Sequence, residues 1–241
     1  MSVESKERRK ALQLFGATSL FALAGGANSQ QLCRNGGEST AGPYPDTVLR
    51  NRRDLRSNST STIPKPGAPL TLRVRVVDIL DNCAPIRNAV VDIWSCDATG
   101  LYSGYPAFNT VGQDFCRGYQ LTDANGVAEF VTLFPGSYTG RAIHIHAAVQ
   151  NAARRVSPNA HGRNLSSVFV CQFYFARSVV DQVFNTNPIY RRGAPITPNE
   201  NDFIYRNEGG PSYLTNVVAS GGGYLGTVQI GTTRAGVGNP V

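Results

Sequence analysis

The sequence has no Cys-x-x-Cys pair, no recognised nucleic-acid-binding motif and only three histidines in 241 residues. It also has no apolar run long enough to span a bilayer comfortably, and no long stretch of helical periodicity after residue 30. Each absence removes a class of protein. Without paired cysteines a thiolate metal site is disfavoured. The short apolar run Leu12–Ala24 leaves no membrane span once it is set aside as a targeting segment. Without a nucleic-acid motif, the net charge of +7 reads as a field attracting acidic aromatic substrates or polyanionic matrices. Most of the arginines at Arg50, Arg52, Arg53, Arg56, Arg154, Arg155, Arg191 and Arg192 are expected to be solvated. The missing helices leave no helical dimerisation domain, so a monomer is expected.

Lys6, Arg8, Arg9 and Lys10 precede the apolar run, and small residues follow it through Ala27 and Ser29. Residues 1–29 therefore read as an export signal, and the mature chain as secreted or periplasmic. Arg8-Arg9 with Leu12 downstream is similar to a twin-arginine signal, with Ala11 where that consensus prefers phenylalanine; an ordinary secretory signal fits as well. The five cysteines, Cys33, Cys83, Cys96, Cys116 and Cys171, all lie beyond the signal. They fit one or two disulfides in an oxidising compartment, with at least one thiol unpaired. Cys83 and Cys96 flank consecutive strands and could meet; Cys33 could tether the arm at Cys116; spacing leaves the connectivity open.

The body of the chain has strand periodicity. Leu72–Asp78 alternates apolar and polar residues, and Ala89–Trp94 reads as the next strand. Thr122–Gly126 is a turn signal, followed by a strand over Val127–Leu133 that ends at Pro135-Gly136. Val168–Phe175 and Gly223–Ile230 read as later strands, with one short helix near Ser178–Phe184. The expected fold is all-β, an antiparallel β-sandwich with long loops and little helix. Residues 30–70, rich in Arg, Asn, Ser, Thr, Gly and Pro, read as an extended arm, and 71–241 as a single catalytic domain of a size one core can serve.

The residues from Phe134 to His146 gather Tyr138, Arg141, His144 and His146 into one short stretch. On a strand, His144 and His146 project to the same side while Ile145 points into the opposite layer. His-x-His alone is produced by zinc enzymes, cupin-like iron proteins and plain buried histidines. A zinc or ferrous site would need a carboxylate to complete the pair, and this stretch contains no acidic residue. It contains Tyr138, and a second tyrosine in a Gly-x-Tyr setting stands at Tyr102. Phenolate oxygens are hard anionic donors suited to ferric iron. Two tyrosines and two histidines thus point to Fe(III). Tyr105, Tyr119 and Tyr174 read as packing or pocket-wall residues, and His161 as a loop residue.

In this order the motifs resemble a known family. Val91–Asp97 leads to Gly100-Leu101-Tyr102; Arg117–Gly126 follows; then come Pro135-Gly136-Ser137-Tyr138 and Arg141-Ala142-Ile143-His144-Ile145-His146. Together with Ala41-Gly42-Pro43-Tyr44-Pro45, they resemble the intradiol ring-cleavage dioxygenases over roughly residues 33 to 186, most closely their short secreted members. The resemblance implies a ferric iron held by Tyr102, Tyr138, His144 and His146, with Tyr138 the phenolate that the substrate displaces. It implies that Arg141 stabilises negative charge on the substrate ring and that Gln172 stands beside the same ring. The reaction implied is cleavage of a catechol-type aromatic diol by dioxygen to a cis,cis-muconate-type diacid. Larger members often carry tryptophan where Gly140 stands and proline where Ala142 stands, which bears on pocket shape. The strand-turn pattern from Ala89 to Tyr138 also resembles transthyretin-like and carboxypeptidase-regulatory sandwiches, which bind partners without catalysis and need neither Tyr102 nor the histidine pair.

Overall fold

The computed structural model describes residues 36–45, 50–151 and 168–233. The expected export signal, Cys33, Arg154, Arg155 and His161 lie outside the described residues. Among the described residues the strands are β1 (Pro69–Asp78), β2 (Ala84–Pro85), β3 (Ala89–Trp94), β4 (Arg117–Leu121), β5 (Val127–Leu133), β6 (His144–Asn151), β7 (Val168–Phe175), β8 (Leu214–Ser220) and β9 (Gly223–Thr232). Helices α1 (Arg177–Thr186) and α2 (Phe203–Asn207) lie between β7 and β8. No helix among the described residues is long and apolar enough to cross a membrane.

The strands run β2-β1-β9-β8-β7-β6-β3-β4 across one sheet, with β5 also paired to β1. Most ladders are antiparallel, but β1 pairs with β9, and β7 with β8, in parallel. The antiparallel sandwich is corrected to a mostly β, mixed and curled sheet. A period of two assigns each residue to a face, but it does not set which strand lies alongside or in which direction.

Alternation builds the core. Leu70, Leu72, Val74 and Val76 of β1 pack in one cluster with Val91 and Ile93 of β3, Phe130 of β5, Ile145, Ala147 and Val149 of β6, and Phe169, Phe173 and Phe175 of β7. Each such large side chain removed from water contributes about 1.5–3 kcal/mol. Helix α1 adds Val180, Val183 and Phe184 to the same cluster at helical spacing. Residues 50–55 run beside the sheet: Tyr119 N–H donates to Arg50 O, Val131 N–H to Arg53 O and Cys116 N–H to Leu55 O. Leu55 is itself fully buried in the core.

The arginines of this segment are not simply solvated. Arg50 and Arg52 pair with Asp114, Arg53 with Glu129, and Arg56 with Asp54. The Asp114 carboxylate is almost fully buried and also accepts from the Ser59 amide at 2.7 Å and from Ser59 Oγ. Burial pushes its pKa up, but the Ser59 hydrogen bonds and the charges of Arg52 and Arg50 outweigh it and hold the group below its ordinary value. A depressed carboxylate stabilises the fold above its unfolded pKa, and that contribution is lost as pH falls through the folded value. Asp114→Asn is therefore expected to cost on the order of 2 kcal/mol at pH 7. The difference in Tm between variant and parent should shrink as pH drops below about 4; a constant difference across that window would refute the charge assignment.

Cys96, Cys116 and Cys171 are free and buried. Neither pairing weighed from the sequence forms, because each requires one of these thiols. Cys83 is disulfide-bonded. Burial raises the Cys116 thiol to about 12 and pushes up Cys96 and Cys171 as well, so these thiols are inert in the folded chain. Thiol titration of the unfolded, unreduced protein should find the three free groups and, after reduction, all five. A count of one before reduction would overturn the free-thiol assignment.

Candidate metal centre

His144, His146 and Ala148 share the face of β6 opposite the core residues Ile145, Ala147 and Val149, as strand alternation requires. Register then places their neighbours. Trp94 of β3 and Gln172 of β7 lie opposite His146, and Tyr174 lies opposite His144. The Trp94 indole stacks on the His146 imidazole with centroids 5.1 Å apart and planes within 3°, which fixes the ring.

The two tyrosines come from loops that are tied together. Asp97 Oδ1 accepts from the Thr99 amide at 2.8 Å and the Leu101 amide at 3.2 Å, reversing the chain before Tyr102. Gly136 N–H donates to Asp97 O at 3.0 Å and joins this loop to the one carrying Tyr138. Gly100 sits at φ +86°, and a Cβ there would lie 2.2 Å from Ser137 O. Only glycine permits the close approach that the Gly-x-Tyr motif provides.

The structure brings all four expected ligand side chains to one place. Tyr138 Oη is 3.0 Å from His144 Nε2, and His144 Nε2 is 3.1 Å from His146 Nε2. The Tyr102 ring lies 5.6 Å from that of Tyr138 and 6.3 Å from that of His146. His144 Nδ1 is 2.6 Å from Ala142 O, so Nδ1 carries the proton and Nε2 presents its lone pair.

The charge states follow from burial. Burial, with the Arg141 charge second, pushes the His144 imidazole down to about 3, and His146 is also held well below its ordinary value. Both rings are neutral. Burial pushes the Tyr138 phenol up to about 12 and holds Tyr102 well above its ordinary value. Neither phenol ionises near neutrality in these surroundings without a cation to compensate the charge.

This donor set fits a cation. Two Nε2 atoms face each other at hydrogen-bonding distance, and Tyr102 Oη is buried with no hydrogen-bond partner. Buried polar groups in native folds are satisfied, and a metal ion held by all four would satisfy them together. The anionic oxygens favour a hard, highly charged ion. Among the described residues no group of three or more His, Cys, Asp and Glu side chains gathers, so no carboxylate completes the histidine pair in the zinc or ferrous manner.

Arg141 and Gln172 stand beside this cluster. Arg141 Nη1 is 3.5 Å from Tyr138 Oη, Nη2 donates to Gln172 Oε1 at 2.6 Å and to Tyr174 Oη at 3.2 Å, and Nε donates to Asp202 Oδ2 at 2.9 Å. Tyr174, read as a wall residue, is on the wall and also donates to Gln172 Oε1 at 3.0 Å. Asp202 escaped the sequence analysis. It is fully buried, accepts the Ala142 amide at 2.8 Å, and caps α2 by accepting from Ile204 and Tyr205 N–H. An acidic residue just before Phe203-Ile204-Tyr205 is the N-cap signal that could have marked it. Trp94, Ala148, Val170, Tyr44 and Phe108 line the rest of the site face, with the buried Arg117 guanidinium 5.8 Å over the Tyr102 ring.

A family model described as dioxygenase matches residues 42–190. The protocatechuate 3,4-dioxygenase beta chain of Burkholderia cepacia is 29% identical over 153 residues, which covers 58% of this chain and 59% of that relative's length. Among solved structures, the intradiol ring-cleavage dioxygenase from Tetranychus urticae matches with a TM-score of 0.71 and 25% identity, over 83% of this chain and 95% of that one. The dioxygenase domain of a dioxygenase and carbohydrate-binding protein fusion from Streptomyces sp. SirexAA-E matches with a TM-score of 0.55 and 28% identity, over 82% and 97%.

Proposed function

The chain belongs to the intradiol ring-cleavage dioxygenases, and from that premise we propose that it cleaves a catechol-type aromatic diol with dioxygen to a cis,cis-muconate-type diacid. Tyr102, Tyr138, His144 and His146 would hold ferric iron, which supplies the electron-accepting centre that makes a bound catecholate reactive toward dioxygen. The observation that carries this reading is the convergence of two neutral imidazoles and two phenols on one buried point. A transthyretin-like binding module has no use for that convergence.

The chain's own groups have separable tasks. The resemblance gives Tyr138 Oη the task of taking a proton from the incoming diol; Arg141 Nη1, 3.5 Å away, would stabilise its ionised form until that transfer. Tyr102 is enclosed by Tyr44, Phe108 and Tyr138 and stays in place. Arg141 carries the fixed charge of a guanidinium; Asp202 anchors its Nε and Gln172 and Tyr174 take its Nη2 protons, leaving Nη1 beside Tyr138 Oη to stabilise developing negative charge. Gln172 holds Nη2 from the other side. Trp94, Ala148 and Val170 exclude water from the face on which oxygen chemistry occurs. The same proposal includes an exported, monomeric mature chain acting outside the cytoplasm.

The deciding experiment is a visible spectrum of the iron-loaded protein followed by a catechol panel. A broad tyrosinate-to-iron charge-transfer band that catechol shifts, with mass-spectrometric detection of the ring-opened diacid, is expected. An iron-loaded protein with no such band, or no diacid from any member of the panel, defeats the reading.

A further inference from the structure

Residues 38–44 form a strap across the metal-centre face, fastened at Tyr44 O by Arg117 Nη1 at 3.1 Å and near its start by one distant carboxylate. Ser39 N–H donates to Val170 O at 2.8 Å, laying the strap beside β7. Glu208 Oε2 then accepts both the Ser39 hydroxyl and the Thr40 amide, each at 2.8 Å. The next peptide group faces the site: Thr40 O accepts from Gln172 Nε2 at 2.9 Å. Two residues on, Thr40 Oγ1 accepts the Gly42 amide at 3.1 Å in a tight turn. Gly42 sits at φ +70°, and a Cβ there would lie 2.9 Å from His146 Cε1, so the strap bears directly on an imidazole of the centre.

We propose that Glu208 is a positioning residue that latches this strap and, through the Thr40 carbonyl, holds the Gln172 amide with its oxygen toward Arg141. The hydrogen-bond inventory supports the assignment. Gln172 is 1% exposed, so its amide cannot turn to water for partners. Its oxygen takes the Arg141 Nη2 and Tyr174 hydroxyl protons, and its nitrogen has Thr40 O. A strap that lifts removes the acceptor and leaves a buried N–H unsatisfied, so the amide and the guanidinium it holds lose their fixed geometry. Glu208 touches neither the four metal-site side chains nor Arg141; its effect travels through Thr40 and Gln172. The inference about catalysis rests on the proposed function, whereas the latch itself does not.

The test uses Glu208→Ala and Glu208→Gln in the full chain, because a glutamine oxygen can still accept from the strap. Hydrogen exchange of the Thr40 amide, read without metal or substrate, should quicken at least about tenfold in Glu208→Ala, the factor for about 1.4 kcal/mol of lost protection, and be largely restored in Glu208→Gln. In the iron-loaded enzyme Glu208→Ala should lower kcat/KM with a fall in kcat, and that fall should vanish in a Gln172→Met background, since the two act in series. Unchanged Thr40 exchange overturns the latch. Faster exchange with an undiminished kcat effect in the Gln172→Met background overturns the route through Gln172. Inactive iron-loaded parent protein would instead count against the proposed function, and the exchange result would still decide the latch.

Discussion

Tyr102→Phe is expected to leave the fold intact and bleach the iron-loaded protein. The phenylalanine ring keeps the packing against Tyr44, Phe108 and Tyr138, and removing a buried hydroxyl that makes no well-formed hydrogen bond costs the apo protein little. The metal-free variant should therefore unfold at or slightly above the parent Tm. The iron-loaded variant should lose much of its charge-transfer absorption, and turnover should fall by at least the 10- to 100-fold that outer partners of metal ligands command. Tyr138→Phe should act differently, because Tyr138 Oη lies 3.0 Å from His144 and within reach of Arg141. On the proposed role its loss would remove the phenolate that substrate displaces, so the resting band should change while the spectrum of the catechol-bound form changes less. Identical resting and substrate-bound spectra in parent and Tyr102→Phe would remove Tyr102 from the ligand set.

Asp202→Ala should be the most destabilising single change at the site. The side chain is fully buried, pairs with Arg141 Nε, accepts the Ala142 amide, and caps α2 through Ile204 and Tyr205. Truncation leaves a largely buried guanidinium without its counter-ion, a loss of about 3–5 kcal/mol, and removes a cap contributing about 1 kcal/mol. Asp202→Asn keeps an acceptor for the α2 amides and should recover part of the stability but not the charge that anchors Arg141. Denaturant unfolding should rank parent above Asn above Ala. Equal stabilities for Asn and parent would mean that the charge of Asp202 does nothing for Arg141.

Much of the site was legible because its residues are close in sequence or carry strand alternation. His144 and His146 share a face for the same reason that Ile145 faces the core, and no tertiary information is needed to say so. The glycine before Leu101-Tyr102 carried a signal whose cause is steric, a Cβ colliding with Ser137 O. Strands Ala89–Trp94, Val127–Leu133 and Val168–Phe175 stand where the pattern put them. The partners of Asp202 and Glu208 were not legible, although Asp202 carries an N-cap signal. Both residues belong to a segment of short helical turns, and their partners lie 61 and 168 residues away. A lone acidic residue at that distance looks the same whether it is solvated or anchors a largely buried guanidinium. Arg50, Arg52 and Arg53 misled for a related reason: their carboxylates, Asp114 and Glu129, come from a distant loop and strand.

The amino-acid sequence by itself determined the alternating strands, the pairing of His144 with His146 on one face, the two tyrosine motifs and the family they resemble. These are local features, set by backbone period and by steric limits at single glycines. Only the tertiary structure decided that β1 and β9 run parallel, that Cys96 and Cys116 stay apart from any disulfide, and that Asp202 and Glu208 close the hydrogen-bond chain around Arg141 and Gln172. Those outcomes depend on which distant segments meet, and contact between distant segments is settled by burial of the whole core rather than by any stretch of the chain alone.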